Sequence, residues 1–136
     1  TLVHPFTQQD TWQELANPNY VKVAIAREKT DLDNAVIGHA VYFSRSIIPY
    51  LRGVEPDDWL QQGQHFRHIG MYAYRADILQ RITQMPPSPL EQTESLEQLR
   101  WLENGVTIRV ALTHSASIGI DTPEDLQLAL RFLTQN

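Results

Sequence analysis

The stretch YVKVAIAREKTDLDNAVIGHAVYFSRS, residues 20–46, decides what kind of fold this chain makes. Its two ends, YVKVAIA (20–26) and AVYFSRS (40–46), are rich in β-branched and aromatic residues and alternate in character, as a half-buried strand does. Residues 27–38 between them are charged and turn-rich. The spacing predicts two strands joined by that connection and paired antiparallel. A sheet containing such a pair cannot be purely parallel.

Outward from the hairpin, strand and helix patterns mix. FRHIGMYAYR (66–75) and VTIRVAL (106–112) read as strands. Residues 7–16 fit a short helix capped by Thr7 or Asp10, and NPNY (17–20) a turn. Residues 47–64 carry two prolines and two glycines and read as a loop with room for one turn of helix. ADILQRITQM (76–85) reads as a helix that stops at Pro86 and Pro87. Ser88, Pro89 and Glu91 then spell an N-cap, a first-position proline and a capping-box acid. Leu96, Leu99 and Leu102 share one face behind them, and Gly105 stands at the stop, so one helix fits, as does a short turn followed by a helix. Thr122, Pro123 and Asp125 repeat the capping pattern before an apolar stripe of Leu126, Ala129, Leu130 and Leu133, which predicts a last helix over 123–134. The fold class expected is α/β, a mixed sheet with flanking helices in a single domain over 1–136.

Composition narrows the function. The chain has 136 residues, 42% of them hydrophobic and 20% charged, no cysteine and a formal net charge of −5. That balance suits a globular domain with a real core. It argues against a general nucleic-acid surface. The absence of cysteine excludes disulfides and thiolate metal sites and fits a cytoplasmic protein. No apolar run is long enough to span a membrane as a helix. An anionic small molecule fits such a chain if local arginines or a divalent cation receive it. The opening TLVHPFTQQDTW reads like the interior of a longer protein, so a fragment or a processed chain is expected.

Several residues can carry chemistry. Arg45, at the end of a strand, and Arg52, just past Pro49, are either surface arginines or a clamp for a carboxylate or phosphate. In a strand over 66–75, His68, Gly70, Tyr72 and Tyr74 share one face, which is either a wet face or a floor for a polyhydroxylated ligand. His65 and His68, three apart, point to opposite faces of such a strand and so do not share a metal ion. DLDN at 31–34 begins like an EF-hand loop but has Val36 where that loop needs glycine, and reads as a solvated turn. Glu91, Glu94 and Glu97 run at three-residue intervals as a solvated helix face, although Glu97 and Gln98 can reach toward the sheet edge. Asp121 precedes the cap of the last helix, where a hydrophobic residue would serve the helix better. Two readings of it stand. It is a Mg²⁺ ligand at a strand-to-helix junction, or it closes a local turn.

NPNYVKV, VYFSRSIIPY, FRHIGMYAYR, PPSPLEQTESLEQLRWLENG and GIDTPEDL occur in this order, and together they resemble the C-terminal half of the CMP-Kdo synthetases, the 3-deoxy-manno-octulosonate cytidylyltransferases. The resemblance implies the C-terminal portion of a nucleotide-diphospho-sugar-transferase-like fold, with the nucleotide-binding half absent. It implies an enzyme that joins CTP and the sugar acid Kdo to CMP-Kdo and pyrophosphate with Mg²⁺, for lipopolysaccharide synthesis. By the same resemblance Asp121 is a metal-ligating carboxylate, and Arg45, Arg52, His68, Tyr72, Glu97 and Gln98 line the sugar-acid pocket. The hairpin at 20–46 helps build a homodimer. The 136 residues are then expected to hold the sugar side of the site and to be inactive alone. The alternative is a free-standing sugar-acid-binding or dimerisation module without catalysis.

Overall fold

The computed structural model describes residues 1–27 and 36–114, together with Gln127, Leu130 and Arg131. Within them the chain runs β1 (Leu2–Pro5), α1 (Trp12–Ala16), β2 (Lys22–Arg27), β3 (Val36–Ser44), a 3-10 turn (Pro56–Asp58), α2 (Trp59–Gln62), β4 (Phe66–Ile69), α3 (Ala76–Ile82), α4 (Pro89–Glu94), α5 (Gln98–Glu103) and β5 (Arg109–Leu112). The strands lie in the order β1-β4-β2-β3-β5 and close into a small barrel. Among the described residues the closing pair, β1 with β5, is parallel and the other pairs are antiparallel. The mixed sheet with flanking helices is therefore present, and its closure was not legible in the sequence. Neither was β1, whose four residues LVHP are too few to show a period.

The hairpin is the longest ladder, from Lys22 opposite Ser44 to Arg27 opposite Gly38. Its second strand begins at Val36, inside the stretch expected to be connection; residues 28–35, with DLDN, lie outside the described residues. Gly38 explains how the strands approach so closely. Its φ is +151°, and a Cβ there would sit 2.0 Å from the Ala26 carbonyl oxygen. Only glycine fits beside the irregularity that the β3–β5 register shows between Val36 and Gly38.

The expected strand over 66–75 ends at Ile69. Met71 N–H donates to Ile69 O at 2.7 Å, a three-residue turn, and the Thr1 hydroxyl faces both the Ile69 and Met71 carbonyls. The face argument for His68, Gly70, Tyr72 and Tyr74 therefore fails as stated, because the alternation it needs stops after His68. The last expected strand is likewise shorter, Arg109–Leu112. The first helix is Trp12–Ala16, capped by Thr11 in a capping box with Glu14, and not by Thr7 or Asp10. Those two residues instead close the preceding turn, with Asp10 Oδ2 accepting from Thr7 N–H at 2.6 Å.

The region after Pro87 forms two helices. Glu91 makes its half of the expected capping box, accepting from Ser88 N–H at 3.0 Å, while Ser88 Oγ has no partner; α4 ends at Ser95 in the left-handed conformation (φ 53°), and α5 ends before Gly105 at φ 71°. Leu99 on α5 is fully buried in one core with Phe43 and Val110 of the barrel wall, and Leu96 and Trp101 belong to the same core. Each such side chain contributes about 2 kcal/mol by leaving water. Glu91 and Arg100 form a two-bonded ion pair between α4 and α5, and Arg100 Nη1 also donates to Met85 O at 2.9 Å. The helix expected over 123–134 and Asp121 fall outside the described residues, apart from Gln127, Leu130 and Arg131, which are helical.

Candidate functional site

His68 closes β4 and is half-buried. Its ring meets Phe43 edge-on at 5.0 Å and Tyr72 at 5.4 Å, and Nε2 lies 3.1 Å from the Thr1 hydroxyl. Burial brings its imidazole down to about 4, so it is neutral near pH 7 and can donate from one nitrogen and accept at the other. Tyr72 stands across the turn that ended the strand. Its ring stacks on Tyr74 at 5.7 Å and meets Trp101 of α5 edge-on at 5.2 Å. The rings that the alternation argument grouped are thus brought together by the turn and by Trp101.

The Tyr72 hydroxyl is buried and has no hydrogen-bond partner. Thr1 acts on it at short range, but the geometry falls short of a bond. Burial pushes this phenol far above the ordinary phenol range, with the charges of Tyr74 and Glu97 adding to it. Glu97 also raises Tyr74, after burial. So Glu97, which precedes α5 and is exposed, lies in the electrostatic reach of both tyrosines. Its carboxylate stands 3.7 Å from Arg100. Gln98 opens α5 one turn before Trp101 and on the same side of the helix. It is buried, and its side-chain N–H₂ has no partner. Native folds rarely leave buried donors unsatisfied, and those that remain mark places where a ligand or ordered water completes the set.

His68 and Tyr72 therefore meet where β4 gives way to the following turn, Trp101 of α5 packs on Tyr72, and the charge of Glu97 reaches it, while Gln98 shares the α5 face of Trp101. Arg45 is near, one residue past β3, but its guanidinium is engaged by main-chain carbonyls, including that of Ser95 two residues before Glu97. Arg52 is exposed on the loop after β3 and is not drawn into the group. His65 and His68 face different surroundings, His65 against Trp59. Among the described residues no three His, Cys, Asp or Glu are placed to hold a metal ion.

Sequence reading missed three participants. Glu94 is not on a solvated face; it accepts bonds from Ser44 Oγ at 2.6 Å and from Arg45 N–H at 2.9 Å. Lys22 is fully buried, its Nζ on Asn17 O at 2.9 Å. Burial, opposed by the charge of Glu94, brings its ammonium down to about 8. Ser44, also buried, completes the group. The strand pattern around Lys22 and the regular glutamate spacing concealed a contact between elements fifty residues apart.

A cleft of about 530 Å³ is lined by Tyr72 together with Thr1, Met71, Tyr74, Ile78 and Trp101. Its walls are mostly apolar, which does not suit a polyhydroxylated acid.

Residues 1–108 match the family model described as cytidylyltransferase. This chain belongs to the cytidylyltransferase family. Among relatives of this cytidylyltransferase chain, the 3-deoxy-manno-octulosonate cytidylyltransferase of Parabacteroides distasonis is 52% identical over 134 residues, covering 98% of this chain and 50% of the relative. That of Porphyromonas gingivalis is 49% identical over 133 residues, covering 98% and 49%. A solved CMP:2-keto-3-deoxy-manno-octonic acid synthetase complexed with CTP aligns with TM-score 0.75 at 36% identity, covering 99% of this chain and 48% of that one. The chain spans about half the length of the curated relatives it matches. Among the described residues no helix is long and apolar enough to cross a membrane.

Proposed function

We propose that the protein to which these residues belong is a cytoplasmic CMP-Kdo synthetase serving lipopolysaccharide synthesis, and that they form its C-terminal, sugar-acid-binding and dimerisation portion. The observation that carries the reading is the buried, unpartnered Tyr72 Oη against the ring of neutral His68, with Gln98 Nε2, one of the other buried and unpartnered groups, on the helix that packs on Tyr72. Donors and acceptors of mixed kind on a rigid floor are what a ring of hydroxyls needs. The sugar carboxylate needs a cation that this group does not itself supply, and we assign it to Arg52, which is exposed on its loop and which that loop would have to carry to the group. Kinship with relatives of that activity supports the same choice.

In this reading the sugar's anomeric hydroxyl attacks the α-phosphorus of CTP and pyrophosphate leaves. The groups described here bind and orient the sugar, and positioning of this kind is a large part of the rate. Tyr72, kept protonated by its burial, donates; it is not a base. We assign Asp121 as a Mg²⁺ ligand on the chemistry of its carboxylate. The ion, when bound, neutralises phosphate charge and lowers the nucleophile's pKa. CTP and the remaining metal ligands fall to residues other than these, and a homodimer forms through the β2–β3 hairpin.

Calorimetric titration with Kdo tests the sugar side directly: the chain should bind Kdo and show much weaker heat with a sugar acid of different hydroxyl stereochemistry. Pyrophosphate release from CTP and Kdo with Mg²⁺ should stay at background for these 136 residues. Turnover on the order of 1 per second would show that they hold a complete site. Failure to bind Kdo would remove the reading.

A further inference from the structure

The Thr1 hydroxyl sits among three polar atoms at nearly equal range. Its Oγ1 lies 3.1 Å from His68 Nε2, 3.1 Å from Ile69 O and 3.0 Å from Met71 O. The ladder puts it there: Leu2 stands opposite Ile69 and Val3 opposite His68, so the residue before β1 meets the turn that ends β4. The main chain of Thr1 is held on its other side by β5. Its N donates to Arg109 O at 2.7 Å, and its carbonyl accepts from Ala111 N–H at 2.9 Å.

The three neighbours differ in chemistry. A hydroxyl has one proton to give, and a carbonyl oxygen only accepts. An imidazole nitrogen donates or accepts according to its tautomer. If the Thr1 proton pointed at Nε2, both carbonyl oxygens would face hydroxyl lone pairs at 3.1 and 3.0 Å with no proton between them. If Nε2 carries the ring proton, it donates to Oγ1, and the hydroxyl donates in turn to a carbonyl. Ile69 O already accepts from Met71 N–H at 2.7 Å, which leaves Met71 O as the better target. The second arrangement makes one hydrogen bond more than the first, worth roughly fivefold in population. Burial keeps the ring neutral, so its other nitrogen, Nδ1, is then a bare acceptor.

We propose that Thr1 is a positioning residue whose hydroxyl fixes His68 as the tautomer protonated at Nε2, so that Nδ1 accepts a hydrogen bond from a hydroxyl of the ligand. Tyr72, its ring 5.4 Å from that of His68, has a buried hydroxyl with no partner and supplies the donor. The two rings thus offer one acceptor and one donor side by side. In the other tautomer both would present a proton. The identity of the ligand rests on the function proposed above; the tautomer does not.

Selective ¹⁵N labelling of histidine in the ligand-free protein reads the tautomer, because protonated and bare ring nitrogens resonate far apart. Near pH 7, where the ring is neutral, His68 should show a protonated Nε2 and a bare Nδ1. Thr1→Ser keeps the hydroxyl and should keep that pattern. Thr1→Val keeps the shape and loses the hydroxyl, so a share of the proton should pass to Nδ1; Thr1→Ala serves if the valine variant does not fold. Kdo affinity should fall about tenfold in Thr1→Val, the worth of one hydrogen bond lost, and stay close to that of the unaltered protein in Thr1→Ser. A proton on Nδ1 in the unaltered protein overturns the proposal. So does a Thr1→Val spectrum that matches the unaltered one, or a Thr1→Val protein that binds Kdo as tightly. If the unaltered protein does not bind Kdo, the functional reading fails separately, and the ligand-free spectra still decide the tautomer and the part Thr1 has in it.

Discussion

Tyr72→Phe should make the free protein more stable and its complex with the sugar acid weaker. The two signs follow from one atom. The Tyr72 hydroxyl is buried without a partner in the ligand-free chain. A buried polar group left unpaired costs about 1–3 kcal/mol. Phenylalanine removes that group and keeps the ring, with its contacts to Trp101 at 5.2 Å, His68 at 5.4 Å and Tyr74 at 5.7 Å. The cavity left is one oxygen in size, which offsets part of the gain. A net stabilisation of about 1 kcal/mol is expected, or roughly 4 °C in Tm for a chain of this length. In the complex the balance reverses, because the ligand hydroxyl that met Tyr72 is now buried unpaired. That loss is about tenfold to a hundredfold in affinity. Urea unfolding followed by Trp fluorescence measures the first effect, provided the m-value is unchanged. Calorimetry with Kdo measures the second. A destabilisation of about 1 kcal/mol or more would show that the hydroxyl is satisfied in solution. Unchanged affinity would show that it does not face the ligand. Either result refutes the site as drawn.

The buried Lys22 predicts a pH signature: its ammonium is lost near 8 in the fold and near the usual 10.5 when unfolded, so the unfolded chain binds more protons between those values and stability rises with pH across them. Lys22→Met should flatten that rise in urea midpoints collected from pH 7.5 to 9.5, and identical slopes would refute the assignment. Val41 on β3 and Tyr50 beyond it are exposed apolar side chains beside the hairpin, so sedimentation should show a dimer that Val41→Glu dissociates; an unaltered chain that sediments as a monomer at tens of micromolar removes the dimer. In the whole protein, Asp121→Asn should slow turnover roughly a hundredfold, recover in part with excess Mg²⁺ and leave the unfolding midpoint in place. Normal turnover at low Mg²⁺ would return Asp121 to the role of a turn residue.

What the sequence determined by itself was local. The Ser88-Pro89-Glu91 helix start and the Gly105 stop are set by interactions within a few residues and stand where their pattern predicted, and the period of two found both hairpin strands, although the second starts at Val36, inside the expected connection, and ends at Ser44. His68, Tyr72, Glu97 and Gln98 were legible as candidates because quoted motifs carried them. The tertiary structure decided the rest. Closure of the sheet depends on Leu2–Pro5 pairing with β4 and β5, across gaps of sixty and a hundred residues that no local period records. The strand at 66–75 stopped at Ile69 because the backbone found a turn and the Thr1 hydroxyl in place of a further ladder. Glu94 looked like one of three solvated glutamates because helix spacing describes a face, not what faces it. Only packing α4 against the end of β3 put Ser44 and Arg45 within reach of its carboxylate, and so turned one member of a regular charge pattern into a contact between a helix and the sheet.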